Sequence, residues 1–204
     1  MDSKTWDVIK SAAIQGDAYT MWETDRTDIP PKVLPNTSVL LGDENITEIQ
    51  DQPFIIIRER RSVDEVRQIA KDNGIPKKER DLIVGDSNSN GDNGVIMNKD
   101  EVSNKVTSLL YMTKRDGVVH VGRSTQQCVY EPIHPIQGDI TGLKSYPICS
   151  MVWRPVPYNA RGVAEVAQLI PNQLEINKTI ARRAITVRTS AFPRLAYDAS
   201  TVVN

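Results

Sequence analysis

Residues 161–188 read RGVAEVAQLIPNQLEINKTIARRAITVR, and the architecture turns on what this stretch forms. Its first part, RGVAEVAQLI, puts Val163, Val166, Ala167 and Ile170 on one side of one or two helical turns. Arg161 stands four residues before Glu165, the spacing of an intrahelical ion pair. Pro171 lacks the amide proton that a helix interior needs but suits a first turn, so it is expected to end or bend that helix and open a second one. From Pro171 to Arg188, Leu174, Ile176, Ile180, Ala181, Ala184, Ile185 and Val187 form a broad apolar stripe of helical period. At helical rise this segment reaches about 27 Å. Gln173, Asn177 and Lys178 interrupt the stripe, and Arg182 and Arg183 lie on or beside it. Such a mixed surface fits a helix standing between neighbouring copies and a polar channel. An ordinary surface helix with charged flanks has the same pattern, and periodicity alone slightly favours that simpler reading.

Working outward, the N-terminal WDVIKSAAIQGDAYTMW predicts a short helix through Trp6, Ile9 and Ala13, a break at Gly16 and a strand carrying Tyr19 and Trp22. KVLPNTSVLL predicts two strands interrupted at Pro35-Asn36. PFIIIRERR has four consecutive apolar residues rich in β-branching, which favours a buried strand. In SVDEVRQIAKDNGIP, Ser62 and Glu65 have capping-box spacing, Val63, Val66, Ile69 and Ala70 share a face, and Gly74 with Pro76 supplies the stop. This reads as an amphipathic helix packed on the preceding strand. Pro76 then opens another helix through KKERDLIV, ending at Gly85. Further on, KVTSLLYM, VVHVG, TQQCVYEPI and YPICSMVW alternate with turn residues, and Asp116-Gly117 marks a hairpin. The fold class expected is α+β: an antiparallel-sheet domain followed by a bent long helix.

Composition narrows the function classes. With 39% hydrophobic and 25% charged residues and no apolar run near the ~20 residues of a membrane span, no membrane association is expected. The N-terminus lacks the apolar core of a signal peptide, and Cys128 and Cys149 have no CxxC spacing, so an intracellular setting with free thiols is expected. The net charge of −1 hides an asymmetry. Residues 1–60 carry eleven acidic against six basic side chains, a net of −5, whereas residues 161–194 carry six basic against two acidic, a net of +4.

Few residues announce chemistry. Asp86, Asn88, Asn90 and Gly91 match the opening of a calcium-binding loop, but the twelfth position is Met97 instead of a bidentate glutamate, and Gly94 at the ninth offers no side chain. His120, in a strand-like run, and His134, between prolines, have no serine or cysteine with a visible claim on them. GxSxG, HExxH, GxxxxGK[ST] and GxGxxG are all missing. Trp6, Trp22 and Trp153 read as core or subunit-contact aromatics. A non-enzymatic protein without cofactor or metal is therefore expected. Two alternatives stay open: a small α+β enzyme built on one histidine, and a calcium-binding module using the loop at Asp86.

One resemblance bears on the choice. YPICSMVWRPVPYNARGVAEVAQLIPNQLEINKTIARRA resembles the junction in tailed-bacteriophage portal proteins where the last strand of the wing leads through Y-x-x-R-G into a helix of the form L-I-x-x-Q-x-x-I-N. The matching positions are Tyr158, Arg161, Gly162, Leu169, Ile170, Gln173, Ile176 and Asn177. QPFIIIRERRSVDEVRQIAKDNGI is similar to wing sequence, and the likeness is best over residues 146–198. The resemblance implies a structural virion protein assembled in the host cytoplasm. It would form a ring-shaped homo-oligomer, usually of about twelve copies, at one capsid vertex, through which a separate terminase drives double-stranded DNA and to which neck or tail proteins attach. It further implies a wing over 1–160, wing exit and stem helix over 161–190, and the beginning of a clip over 191–204. The chain ends before a complete clip, a returning stem helix, a tunnel loop and a crown, so the likeness is to the wing and stem portion. Lys178, Arg182, Arg183 and Arg188 are then the candidates for DNA-facing charges or intersubunit ion pairs, because a sliding phosphate backbone calls for numerous weak, sequence-independent contacts.

Overall fold

The computed structural model describes residues 3–22, 31–86, 104–136 and 143–191. Helix α1 (Ser3–Gln15) ends at Gly16, whose φ of 96° is in the region that glycine reaches without strain, and the chain turns into strand β1 (Asp17–Met21). β1 is the centre of a three-stranded antiparallel sheet, flanked by β2 (Lys32–Leu34) and by a strand from much later in the chain, Ile148–Val152. At Pro35-Asn36 the chain leaves this sheet, and β3 (Val39–Leu41) belongs to a second one. The interruption expected there is thus a crossing between layers.

The second sheet has five antiparallel strands in chain order: β3, β4 (Phe54–Ser62), β5 (Lys105–Arg115), β6 (Val118–Ser124) and β7 (Val129–Pro135). The strand Ile148–Val152 is β8. The β5–β6 hairpin turns on Asp116 and Gly117, both at positive φ (52° and 75°), as a two-residue type I′ turn requires. β4 alternates: Ile55 and Ile57 are fully buried whereas Phe54 and Ile56 are only partly buried, so its apolar run lines one face of the core. Ile55, Ile57, Leu110, Met112 and Val119 meet Tyr19, Met21, Leu34 and Ile148 from the smaller sheet in one core. Farther along the same face, helix α2 (Val63–Asp72) sets Val63, Val66 and Ala70 against Val106 and Tyr130 in a second core. The mixed α+β class with antiparallel sheets and a long C-terminal helix is therefore observed.

Several local expectations change. Ser62 stands at the start of α2 but makes no side-chain cap, and Glu65 pairs with Arg61 Nη1 at 2.9 Å instead of reaching back to it. The helix after Pro76, α3 (Lys77–Asp81), stops well before Gly85: Ile83 turns inward to full burial, and Arg67 Nη2 donates to its carbonyl at 2.7 Å. Trp6, Trp22 and Trp153 are exposed, so none is a core aromatic.

The opening stretch is corrected most. Helix α4 runs without interruption from Glu165 to Ser190 through Pro171, so Pro171 neither ends one helix nor opens another. Its missing N–H costs one bond in the ladder, which the remaining turns tolerate. Residues 161–164 precede the helix, with Ala164 in extended backbone at its N-cap. Arg161 does not pair with Glu165, because the body of the protein takes it up.

Candidate assembly helix and its clamp

The connector from β8 to α4 is tied to the opposite end of the chain. Trp153 N–H donates to the Gly16 carbonyl at 2.9 Å, Val163 N–H to the Arg154 carbonyl at 3.0 Å, and Ala160 N–H to the Glu44 carbonyl at 2.7 Å. Tyr158 adopts a φ of 58° at the turn, and Asn159 Oδ1 accepts the Arg161 N–H at 2.8 Å. Arg161 then reaches inward. Its guanidinium donates to Asp17 Oδ2 at 3.3 Å, Asn36 Oδ1 at 2.7 Å, Val39 O at 2.8 Å and Glu44 Oε1 at 3.1 Å. One side chain thereby joins β1, the crossing segment and β3, which lie in different sheets. Asp17, only 1% exposed, also accepts from Asn36 Nδ2, so this buried carboxylate is satisfied. Burial, then the Asp17 carboxylate beside it, push the Tyr19 phenol well above its usual 10.0.

Gly162 follows with no room to spare. A Cβ there would lie 2.5 Å from the Gly16 carbonyl oxygen and 2.6 Å from Val152 Cγ1. The R-G pair of the sequence pattern thus has a structural role at each position: a guanidinium inside the body, then a residue small enough for two backbones to touch.

α4 is held at its start. Glu165 Oε2 lies 2.9 Å from Arg154 Nη2 and accepts from Trp153 Nε1 at 3.3 Å, and Arg154 Nη1 donates to Gln168 at 2.6 Å. Among the described elements, α4 makes its main contact with α1. None of the helix is buried along its 26 residues, about 39 Å at helical rise. With 100° per residue, Leu169, Ile176, Ile180 and Val187 stack in one line and Ile170, Leu174, Ala181 and Ile185 in another, so that together they cover about half the circumference. The leucine, isoleucine and valine side chains in these lines are all roughly half-exposed or more. Gln173, which interrupts the stripe, donates to Asn177 at 2.9 Å, one turn on. Thr179, Thr186 and Thr189 turn their hydroxyls back onto carbonyls four residues earlier, which makes the polar side less polar than its letters imply.

The four candidate cations are exposed but not gathered. Lys178 and Arg182 are about 40° apart on the polar half, Arg183 borders the apolar half beside Ile176, and Arg188 stands within it. Lys178 pairs with Glu175 at 2.7 Å, whereas Arg182, Arg183 and Arg188 have no ion pair among the described residues. The histidines offer little chemistry. His120 Nδ1 lies 3.1 Å from the Val118 carbonyl, and His134 lies 3.5 Å from Glu131, which Arg123 already holds at 2.6 Å. Asp86 is spent in the fold, taking the Arg60 guanidinium and, at 2.9 Å, the Thr107 N–H. Asn88, Asn90, Gly91, Gly94 and Met97 lie outside the described residues, as do Pro193 and all of the clip-like segment after residue 191.

No known family model matches this chain, and no curated protein matches its sequence.

Sequence reasoning missed Arg161 as an inward anchor and also missed a basic cleft beside β4. The RERR run at 58–61 was the available signal for the cleft, but only the fold brings Lys32 to it. Among the described residues no helix is long and apolar enough to cross a membrane, and no group of three or more His, Cys, Asp or Glu residues could hold a metal ion.

Proposed function

We propose that the chain is the wing and stem portion of a tailed-phage portal subunit, a non-catalytic structural component of the virion. Identical copies form a ring around a channel for double-stranded DNA, assembled in the host cytoplasm and serving terminase, capsid and neck or tail proteins. One observation carries this reading: α4 is fastened to the body at its first turn and leaves an apolar half-cylinder exposed from Leu169 to Val187. Burying a leucine or isoleucine side chain stabilises by about 1.5–3 kcal/mol, so a face of this size has a large gain available from contact with neighbouring copies. The exposed Trp6, Trp22 and Trp153 suit the same use as contact aromatics. Lys178 and Arg182, on the polar half, are then the DNA-facing pair, and Arg183 and Arg188, at or inside the apolar half, are intersubunit cations.

Light scattering across a concentration series, with negative-stain imaging of the same sample, tests the reading. Rings with a central opening are expected, and Ile176→Asp with Ile180→Asp should return them to single chains. A protein that stays monomeric at high concentration, with α4 equally exposed to solvent exchange, would sink the proposal.

A further inference from the structure

The two coverings of the five-stranded sheet do not meet. The smaller sheet covers Ile55, Ile57, Leu110 and Met112, and α2 covers Val106 and Tyr130. Between them on β4 stands Glu59, opposite Ser108 in register. β3 accompanies β4 only from Ile55 to Ile57, so past that point the gap opens around the strand's flank. A cleft of about 350 Å3 results, lined by Lys32, Leu34, Pro35 and Ser38 on one side and by residues 58–61 of β4 on the other.

Its walls carry four cations, Lys32, Arg58, Arg60 and Arg61, against one carboxylate. That carboxylate is fully engaged: Glu59 accepts from Lys32 Nζ at 2.9 Å on one oxygen and from Arg61 Nε and Nη2 at 3.2 and 3.1 Å on the other. Burial alone would raise its pKa, but Lys32 and Arg61 overcome burial and lower it, so it does not leave the cleft by protonation near neutrality. Asp86 and Glu65, from outside the lining, hold Arg60 and Arg61. Donors remain on the other two. Lys32 is half-exposed and spends one of its three protons on Glu59. Arg58 pairs with no carboxylate among the described residues, and its one hydrogen bond, to the Thr37 carbonyl, is long at 3.4 Å.

We infer that this cleft is an anion site that takes a phosphate group, with Lys32, Arg58 and the Ser38 hydroxyl as its donors. A cation is excluded by the surplus of positive charge. A carboxylate fits less well, because it is planar and small, whereas the donors are spread around a space at the low end of ligand pockets, about 300–1,000 Å3. Phosphate presents acceptors in several directions, and an arginine and a lysine across from one another match it. The site belongs to a single chain and does not depend on ring formation.

Calorimetric titration of the whole chain with inorganic pyrophosphate tests it. Saturable binding at one site is expected, weakened at least about tenfold by Arg58→Gln or by Lys32→Gln, the loss expected for one charge-assisted hydrogen bond. Arg115→Gln, at the exposed far end of β5 from the cleft, should leave it unchanged, and circular dichroism of each variant establishes that it is folded. No saturable binding, or binding unaltered in folded Arg58→Gln, overturns the site. Citrate binding as tightly as pyrophosphate overturns the choice of phosphate. In a competition arm, displacement of pyrophosphate by a short single-stranded oligonucleotide supports a nucleic-acid backbone as the source. Failure to displace it supports a free phosphate compound in the same site.

Discussion

Arg161 Nη1 lies 3.3 Å from Asp17 Oδ2 across 144 positions of sequence, and this contact ties the root of α4 to the first strand of the fold. Asp17 is 1% exposed, so its charge has no water to fall back on once the guanidinium is gone. Arg161→Ala should therefore cost about 3–5 kcal/mol in urea unfolding, the penalty for orphaning a buried ion. Arg154→Ala, which removes an exposed pair with Glu165, should cost no more than about 1 kcal/mol. Equal losses for the two would mean that Asp17 is not held as described.

Gly162→Ala forces a Cβ against the Gly16 carbonyl and Val152. A backbone must shift, and about 1–3 kcal/mol of destabilisation is expected. Adding a Cβ at Gly74, where φ is 75° and nothing lies within 4 Å, tests backbone conformation without crowding. It should cost about 1 kcal/mol. Thermal melts of the two variants separate steric from conformational cost.

The acid limb of the stability curve should carry the signature of Glu59. Its pKa is lowered in the folded state, so its contribution is fully present above the unfolded value near 4.5 and is lost as pH falls through the lower folded value. Glu59→Gln should flatten the pH dependence of unfolding free energy between about pH 5 and pH 3. An unchanged slope in that window would show that Lys32 and Arg61 do not hold the carboxylate.

Pro171 lies inside α4 and withholds one ladder hydrogen bond. Pro171→Ala should add helical signal and slow amide exchange in the first turns of α4, with a gain of up to about 3 kcal/mol in local helix stability. Faster exchange there would mean that the proline ring makes a contact the helix needs.

For the four cations, Lys178→Gln with Arg182→Gln should reduce DNA retention and leave ring formation intact, whereas Arg183→Gln with Arg188→Gln should weaken ring formation. Imaging and DNA-retention assays on the same preparations distinguish the roles. If neither property changed in either pair, both assignments would be wrong.

The sequence by itself determined the local elements. A β-branched apolar run marked β4, and turn chemistry marked the β5–β6 hairpin at Asp116-Gly117 and the end of α1 at Gly16, because each depends on residues close together in the chain. The apolar period within 161–188 likewise marked helix, but not that the chain would pass Pro171 without a break. Tertiary structure decided everything that required a distant partner. Local spacing gave Arg161 to Glu165 and Ser62 to Glu65, but Asp17, Glu44 and Asn36 compete for Arg161, and Arg61 competes for Glu65. The four cations of α4 lie within eleven residues of sequence, and the helix's 100° step spreads them around it. The cleft between Lys32 and Arg58 was illegible for the same reason: it exists only where the smaller sheet and α2 cover one face of the larger sheet without meeting, and no segment of chain encodes a gap between others.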